Sequence, residues 1–381
     1  MVDYTNKAPG VYIEEIEPAG PIAGIGTSTA ALIGTPKRLD DADVGKPRQV
    51  TNWTAYTSRF DGYQESLWLP HAVHGFFENG GTLAYVVPVQ DLTTGLEAAL
   101  DQLTRLSDVS LVCLPGEVGT DPQKKVIAHC EQMGDRIAIL DGVNDATDLI
   151  EESGPLLTQR GEVTSDDGFA ALYWPWITIS DPLTPRTEDT VTVPPSGHIA
   201  GIMARSDSQR GVHKAPANEP IRGALDLAYP LNNVEQGKLN RNNINALRRF
   251  PGRPPLVWGA RTTTTGTVWR YVNVRRLISY IEASLLQGLR WAVFEPNNTA
   301  LWKGLERSIT EFLNRVWQSG ALFGRTAKEA FYVKIDEELN PPAVRELGQV
   351  FIEIGVAPTR PAEHVVLRLG LWAGGARISE G

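Results

Sequence analysis

A chain of 381 residues, 42% of them hydrophobic, is long enough for two domains, each with its own core. A charged share of 21% excludes a disordered chain, and the longest apolar runs, such as 170–179, fall far short of the ~20 residues a membrane-spanning helix needs. The net charge of -9 disfavours general nucleic-acid binding. Cys113 and Cys130 stand in apolar strand-like and helix-like runs, read as buried free thiols, and cannot make a disulfide framework. The polar stretch 1–10 has no apolar signal region, so synthesis and folding in the cytoplasm are expected.

Residues 1–24 read as an extended arm. Pro9 and Gly10 precede a short alternating strand, Val11, Tyr12, Ile13 and Glu14, and Pro18, Gly20, Pro21 and Gly24 then block regular structure. Such an arm buries little by itself and must pair with something. Residues 30–34 form a buried strand. Residues 68–77 have helical spacing and end at Asn79, Gly80 and Gly81, a helix stop. Strands at 83–89, 109–114, 136–140 and 169–179 then alternate with helices at 94–106 and 121–133, the latter with Asp121 as N-cap and Pro122 at its first position. Apolar strands alternating with helices argue for an α/β layer with a mostly parallel sheet. Residues 180–195 read as a surface loop, 197–205 as a helix, and 211–219 as a segment crossing between domains.

The last third changes character. Residues 256–258 form a short strand ending at Gly259. Val274, Leu277, Ile278, Ile281 and Leu285 fall on one helical face, with Arg275, Arg276, Ser279 and Glu282 on the other. Leu301, Leu305, Ile309, Phe312 and Val316 mark a second amphipathic helix, with Asn298 as N-cap and Gly320 as stop. Three β segments follow at 331–335, 350–356 and 365–371; in the last, Val365, Leu367, Leu369 and Leu371 share a face. Pro358 and Pro361 make the connection before it a stiff linker, so the last strand is expected to swing away from its own domain.

Charge is unevenly spread. Lys238, Arg241, Arg248, Arg249, Arg253, Arg261, Arg270, Arg275, Arg276 and Arg290 stand in a stretch with one acid, Glu282, inside an otherwise acidic chain. Such a segment suits head-to-tail assembly, a basic face of one subunit meeting an acidic face of the next. Internal compensation is the alternative.

Motifs of catalysis are incomplete. Gly24 and Gly26 lack the third glycine of a dinucleotide fingerprint, and Gly45-Lys46 is followed by Pro47 where a phosphate loop needs Ser or Thr. The stretch from Gly26 to Ala30 approaches a nucleophile elbow without its final glycine. His71 and His74 are spaced for one helical face but have no acid or cysteine at metal-ligand spacing. The ten tryptophans read as core and interface anchors.

Several stretches together resemble the contractile tail sheath family. They are the segment from Ala8 to Glu15, the segment from Gly24 to Gly34, Gly75-Phe76-Phe77-Glu78-Asn79-Gly80-Gly81, Val257-Trp258-Gly259-Ala260-Arg261-Thr262, Tyr271-Val272-Asn273-Val274-Arg275-Arg276-Leu277, Trp291-Ala292-Val293-Phe294-Glu295-Pro296-Asn297, and Pro358 to Pro361. The resemblance implies a two-domain subunit of mixed α+β / α/β class. Its parts would be an N-terminal linking arm at 1–24, an outer α/β domain at 25–213, an inner tube-proximal α+β domain with a small sheet at 214–357, and a C-terminal linking arm at 358–381. It implies stacked six-membered rings around an inner tube, joined where neighbours' arms add strands to the small sheet, and contraction that drives the tube into a target envelope. Partners would be copies of the chain itself, the tube protein, and baseplate and terminal cap proteins, with no cofactor, no nucleic acid and no membrane insertion. The particle would leave the cell as a virion or an extracellular injector.

On this reading Val11, Tyr12, Ile13, Glu14, Val365, Val366, Leu367 and Leu369 pair the arms. Arg325, Lys328 and Glu329 face the tube. Arg275 and Arg276 make charge contacts between subunits, unless they belong to a merely solvated helix face. An α/β nucleotide-binding enzyme and another tail structural protein are the competing readings.

Overall fold

Strand β1 (Ala30–Gly34) is buried at all of its residues, as a strand covered on both faces must be. The computed structural model describes residues 21–149, 151–184, 186 and 188–367. The expected arm strand with Val11, Tyr12, Ile13 and Glu14, and Leu369 of the last expected strand, lie outside the described residues.

From β1 the chain runs through β2 (Arg48–Val50), α1 (Trp53–Phe60), α2 (Trp68–Glu78), β3 (Ala84–Pro88), α3 (Leu92–Leu103), β4 (Leu111–Cys113), α4 (Thr120–Met133), β5 (Ile137–Asp141), α5 (Pro155–Glu162) and β6 (Ala170–Trp174). It continues with β7 (Ile177–Ser180), β8 (Thr190–Val193), α6 (Ser196–Arg210), β9 (Glu219–Pro220), β10 (Asp226–Leu227), α7 (Asn233–Arg241), β11 (Ile244–Arg248), β12 (Leu256–Val257) and the long helix α8 (Val272–Gly288). After a short 3-10 turn at Arg290–Ala292 come α9 (Thr299–Gln318), α10 (Ala327–Ala330), β13 (Phe331–Lys334), α11 (Pro342–Glu346) and β14 (Glu353–Val356). The chain is a mixed α+β protein whose described residues divide into two units, one comprising 26–280 and 358–367, the other 21–25 and 281–357.

The larger unit is built on a nine-stranded sheet in the order β2-β3-β1-β4-β5-β6-β11-β12-β9. β3, β1, β4, β5, β6 and β11 are parallel, β2 and β12 run against them at the margins, and β9 pairs antiparallel with β12. Side chains alternate between the two faces, as the period of a strand requires. Leu32, Leu111, Ile139 and Tyr173 enter a core covered by α1, α2 and α6. Ile33, Val112, Leu140 and Leu172 enter one covered by α3, α4, α5 and α7. Complete burial of each such aliphatic side chain contributes about 1.5–3 kcal/mol, enough to hold three-residue strands in place.

Several local expectations are corrected. α4 starts at Thr120 with Gly119 as its cap residue, so Asp121 sits inside the first turn, where a carboxylate still complements the helix dipole. The expected strand at 169–179 is two strands, because Pro175 has no N–H to continue the ladder. β7 leaves for a separate three-stranded sheet ordered β10-β7-β8, and β8 lies inside the expected loop at 180–195. The larger unit runs through to Tyr280, with β9, β11 and β12 completing its sheet. Residues 211–219 therefore stay within that unit. Helix α7, absent from the elements expected of the sequence, is fixed by a capping box in which Asn232 accepts from Val234 and Glu235 N–H while Glu235 reaches back to Asn232.

In the smaller unit, Asn298 Oδ1 accepts from the N–H groups of Ala300 (2.9 Å) and Leu301 (3.1 Å), and Gly320 follows the helix with φ 84°, both as expected for α9. Leu301, Leu305, Ile309, Phe312 and Val316 form its buried stripe. β13 and β14 pair antiparallel, Phe331 opposite Val356 and Lys334 opposite Glu353. β14 is shorter than the expected 350–356 because Phe351 is held by Asn340 rather than by a strand: its N–H donates to Asn340 Oδ1 (2.7 Å).

Candidate assembly surfaces

Open α/β sheets bind ligands outside the carboxyl ends of their strands. Here that crevice is filled by the protein itself. Asp141, at the end of β5, accepts from Ser196 Oγ (2.7 Å), Ser196 N–H (2.8 Å) and Gly116 N–H (3.0 Å). Burial pushes its pKa up to about 6 against the opposing pull of these hydrogen bonds. The Trp68 indole lies against Gly116, where an added Cβ would stand 2.1 Å from Cδ1, and meets Trp176 edge-on at 5.3 Å. Ser196 is fully buried, so no substrate reaches its hydroxyl. The near-elbow at 26–30 is structural as well: Thr27 donates to Asp207 (2.6 Å) and its carbonyl accepts from Arg276 (2.8 Å). Among the described residues no group of three or more His, Cys, Asp and Glu is placed to hold a metal.

The small sheet has a different character. Among the described residues β13 and β14 have no further strand on either side, so both outer edges present unpaired backbone groups. Two strands are marginal alone and offer a template for added strands. The roots of both terminal segments are fixed. Ile22 is buried against Gly288, its carbonyl accepts from Arg315, and Ile25 N–H donates to Ser284 (3.2 Å), all within the smaller unit. Residues 358–367 belong to the larger unit. There Thr359 O accepts from Asn273 Nδ2 (3.3 Å), and the Glu363 carboxylate accepts from Arg261 Nε (2.9 Å) and Tyr271 OH (3.3 Å). The linker at Pro358 and Pro361 is thus held down as far as Glu363. Nothing in the spacing of the sequence pairs Arg261 with Glu363, 102 residues away.

Of the expected site residues, Val365, Val366 and Leu367 are each 79% exposed and lie outside any strand. Arg325, just before α10, and Lys328 and Glu329, within it, are exposed, with Glu329 Oε2 accepting from Arg325 N–H (2.8 Å). Arg275 and Arg276 correct the reading of α8, because both are buried within the larger unit. Arg276 Nη1 donates to Asp207 Oδ1 (2.9 Å), and the Arg275 guanidinium lies over the rings of Trp269 (4.2 Å) and Phe169 (4.4 Å). Helical periodicity places them opposite the apolar stripe; the packing of Phe169, Trp269 and Asp207 around α8 covers that side too. Lys238, Arg249 and Arg261 also pair with acids of the same chain, Glu152, Asp226 and Glu363, so the basic segment is in part compensated internally.

The crevice at the strand ends is filled, the roots of both terminal segments are anchored, and the small sheet has two edges without a further strand among the described residues. Residues 89–263 match the phage tail sheath protein central domain, and residues 264–371 match the phage tail sheath C-terminal domain. The chain is 30% identical to the sheath subunit in a cryo-EM structure of the anti-feeding prophage helical sheath in the contracted state, with a TM-score of 0.82, covering 96% of this chain and 99% of that one. It is 28% identical to a chain of the PVC sheath complex of an extracellular contractile injection system, also contracted, with a TM-score of 0.81, covering 97% and 99%. A prophage protein of Pseudomonas aeruginosa (strain UCBPP-PA14), named as a major tail sheath protein, is 24% identical over 290 residues, 72% of this chain and 68% of its own. The chain belongs to the phage tail sheath family: it is a structural subunit of a contractile tail sheath, and not an enzyme.

Proposed function

We propose that copies of this chain polymerise as stacked six-membered rings around an inner tube, and that their repacking on contraction drives the tube through a target envelope. The observation that carries this reading is the two-stranded β13–β14 sheet with both edges unpaired among the described residues. A strand from one neighbour's N-terminal arm and one from another's C-terminal arm complete it, linking chains through backbone hydrogen bonds. Val11, Tyr12, Ile13 and Glu14 form the first added strand, and Val365, Val366, Leu367 and Leu369 the second. The rooted beginnings of both arms support this, because a fixed root directs a free end toward a neighbour. In this division the part before 25 and the part after 357 act as linking arms, 25–213 faces outward, and the tube-proximal part at 214–357 takes in the last strands of the nine-stranded sheet as well as the small β13–β14 sheet.

Arg325, Lys328 and Glu329, exposed and beside the small sheet, face the tube protein. Baseplate and terminal cap proteins close the two ends. Assembly takes place in the bacterial cytoplasm, before release as a virion or extracellular injection particle. The burial of Arg275 and Arg276 leaves them a role inside the subunit rather than between subunits.

Deleting residues 1–20 or 364–381 tests the reading. Each deletion should leave thermal unfolding of the body nearly unchanged and abolish polymers seen by negative-stain electron microscopy. Long tubes from either deletion would overturn it.

A further inference from the structure

Phe294 is held with φ 72°, a left-handed conformation that bulky side chains rarely adopt, and its side chain is fully in solvent at 101% exposure. A glycine would hold the same backbone without strain, and a polar residue would suit the exposure better. No described residue covers the ring. Strain and solvation both disfavour phenylalanine here, so the compensating contact comes from outside the described residues.

The backbone that follows Phe294 is tied down. Asn297 Oδ1 accepts from Trp302 Nε1 (2.9 Å), Asn297 Nδ2 donates to Gln349 O (2.9 Å), and Asn298 caps α9. The loop that receives Asn297 is itself laced by the buried Asn340, whose Nδ2 donates to Phe351 O (2.9 Å). That second loop presents Leu347 and Phe351 to solvent. Two loops tied by asparagine amides therefore carry large apolar side chains on an anchored backbone. Such preorganisation lowers the ordering cost of binding, and aromatic anchors dominate interface energetics.

We infer that Phe294, with Leu347 and Phe351, is an apolar peg that inserts into a second copy of this chain. The occupant follows from continuity. Phe351 leads directly into β14, whose outer edge is assigned above to a neighbouring copy, so peg and edge belong to one surface. The solved relative is a helical sheath, in which one chain repeats and a head-to-tail contact recurs at each subunit. The inference rests on the sheath reading of the preceding subsection.

The experiment compares full-length wild type with Phe294→Gly, Phe294→Tyr and Leu347→Ser by sedimentation, negative-stain imaging and thermal unfolding. Phe294→Gly should keep or raise the midpoint of unfolding, because it relieves the positive φ, while the sedimenting polymer falls at least tenfold. Leu347→Ser should move polymer yield in the same direction, and Phe294→Tyr should retain it. Wild-type polymer yield from Phe294→Gly would overturn the peg and leave the sheath reading standing. A clearly lowered unfolding midpoint in Phe294→Gly would also overturn it, by making Phe294 part of the fold. Wild-type protein that stays monomeric at high concentration would overturn both.

Discussion

Arg261 grips Glu363 through two of its nitrogens, and through that ion pair the segment after Pro358 is bound to the larger unit. Arg261 is fixed in turn by donating from Nη1 to Asn240 O (2.7 Å). Burial pushes the Glu363 pKa up, but the hydrogen bond and charge of Arg261 outweigh it and hold the carboxyl below its ordinary value. A lowered carboxylate pKa means that the anchor is present above the unfolded value and is lost as pH falls through the folded one. Glu363→Gln should therefore free the segment at neutral pH. Hydrogen–deuterium exchange of the backbone amides from 359 to 366 should be several-fold faster in the variant, with the unfolding midpoint of the body little changed. Equal exchange rates would show that the prolines alone hold the segment.

Arg276 and Asp207 form a pair whose side chains are only 4% and 6% exposed. Removing one partner of such a pair strands a buried charge. Arg276→Met or Asp207→Ala should each destabilise the protein by about 3–5 kcal/mol. The double replacement should cost clearly less than the sum, because neither charge is then left alone. Urea unfolding of the three variants measures both effects. Additive costs would mean that the two side chains do not act as a pair.

His71 and His198 are buried, and the Nδ1 of each lacks a hydrogen-bond partner among the described residues. Burial holds their pKa values down, to about 4 and about 3, although Asp181 pulls that of His71 up. The unfolded chain takes up these protons near the ordinary value, whereas the fold resists them. Their contribution is thus present above about pH 6.5 and is lost on acidification toward pH 4, at about 1.4 kcal/mol per pH unit for each histidine. Asp141, whose pKa is raised to about 6, works in the opposite sense and offsets part of the slope. Urea midpoints at pH 7 and pH 5 should show net loss in acid, and His71→Gln should shrink the difference. A variant with the wild-type slope would remove His71 from the account.

Gly197, in the first turn of α6, lets that helix press on α2. A Cβ built at 197 would stand 2.4 Å from the Ala72 Cα and carbonyl oxygen, a clash with backbone that no rotamer relieves. Gly197→Ala should cost about 1–3 kcal/mol or more by overpacking. Differential scanning calorimetry reads this as a lowered midpoint. A neutral outcome would mean that the two helices separate without penalty.

The elements carried by apolar periodicity are legible in the sequence alone. β1, α2, α8 and α9 stand where spacing places them, Asn298 caps as its type suggests, and the parallel layer follows from strand–helix alternation. That information is local, because neighbouring residues alone decide which face of a helix or strand is apolar. The family, too, is readable from short motifs spread along the chain. The continuation of the sheet to β9 and β12, the burial of Arg275 and Arg276, the hold of Arg261 on Glu363 and the exposure of Phe294 are decided only by the tertiary structure. Each depends on which distant segment arrives beside a residue. A charge on the outer side of a helix is solvated or buried according to whether Asp207, Phe169 and Trp269 pack over it, and no local pattern in the sequence records that arrival.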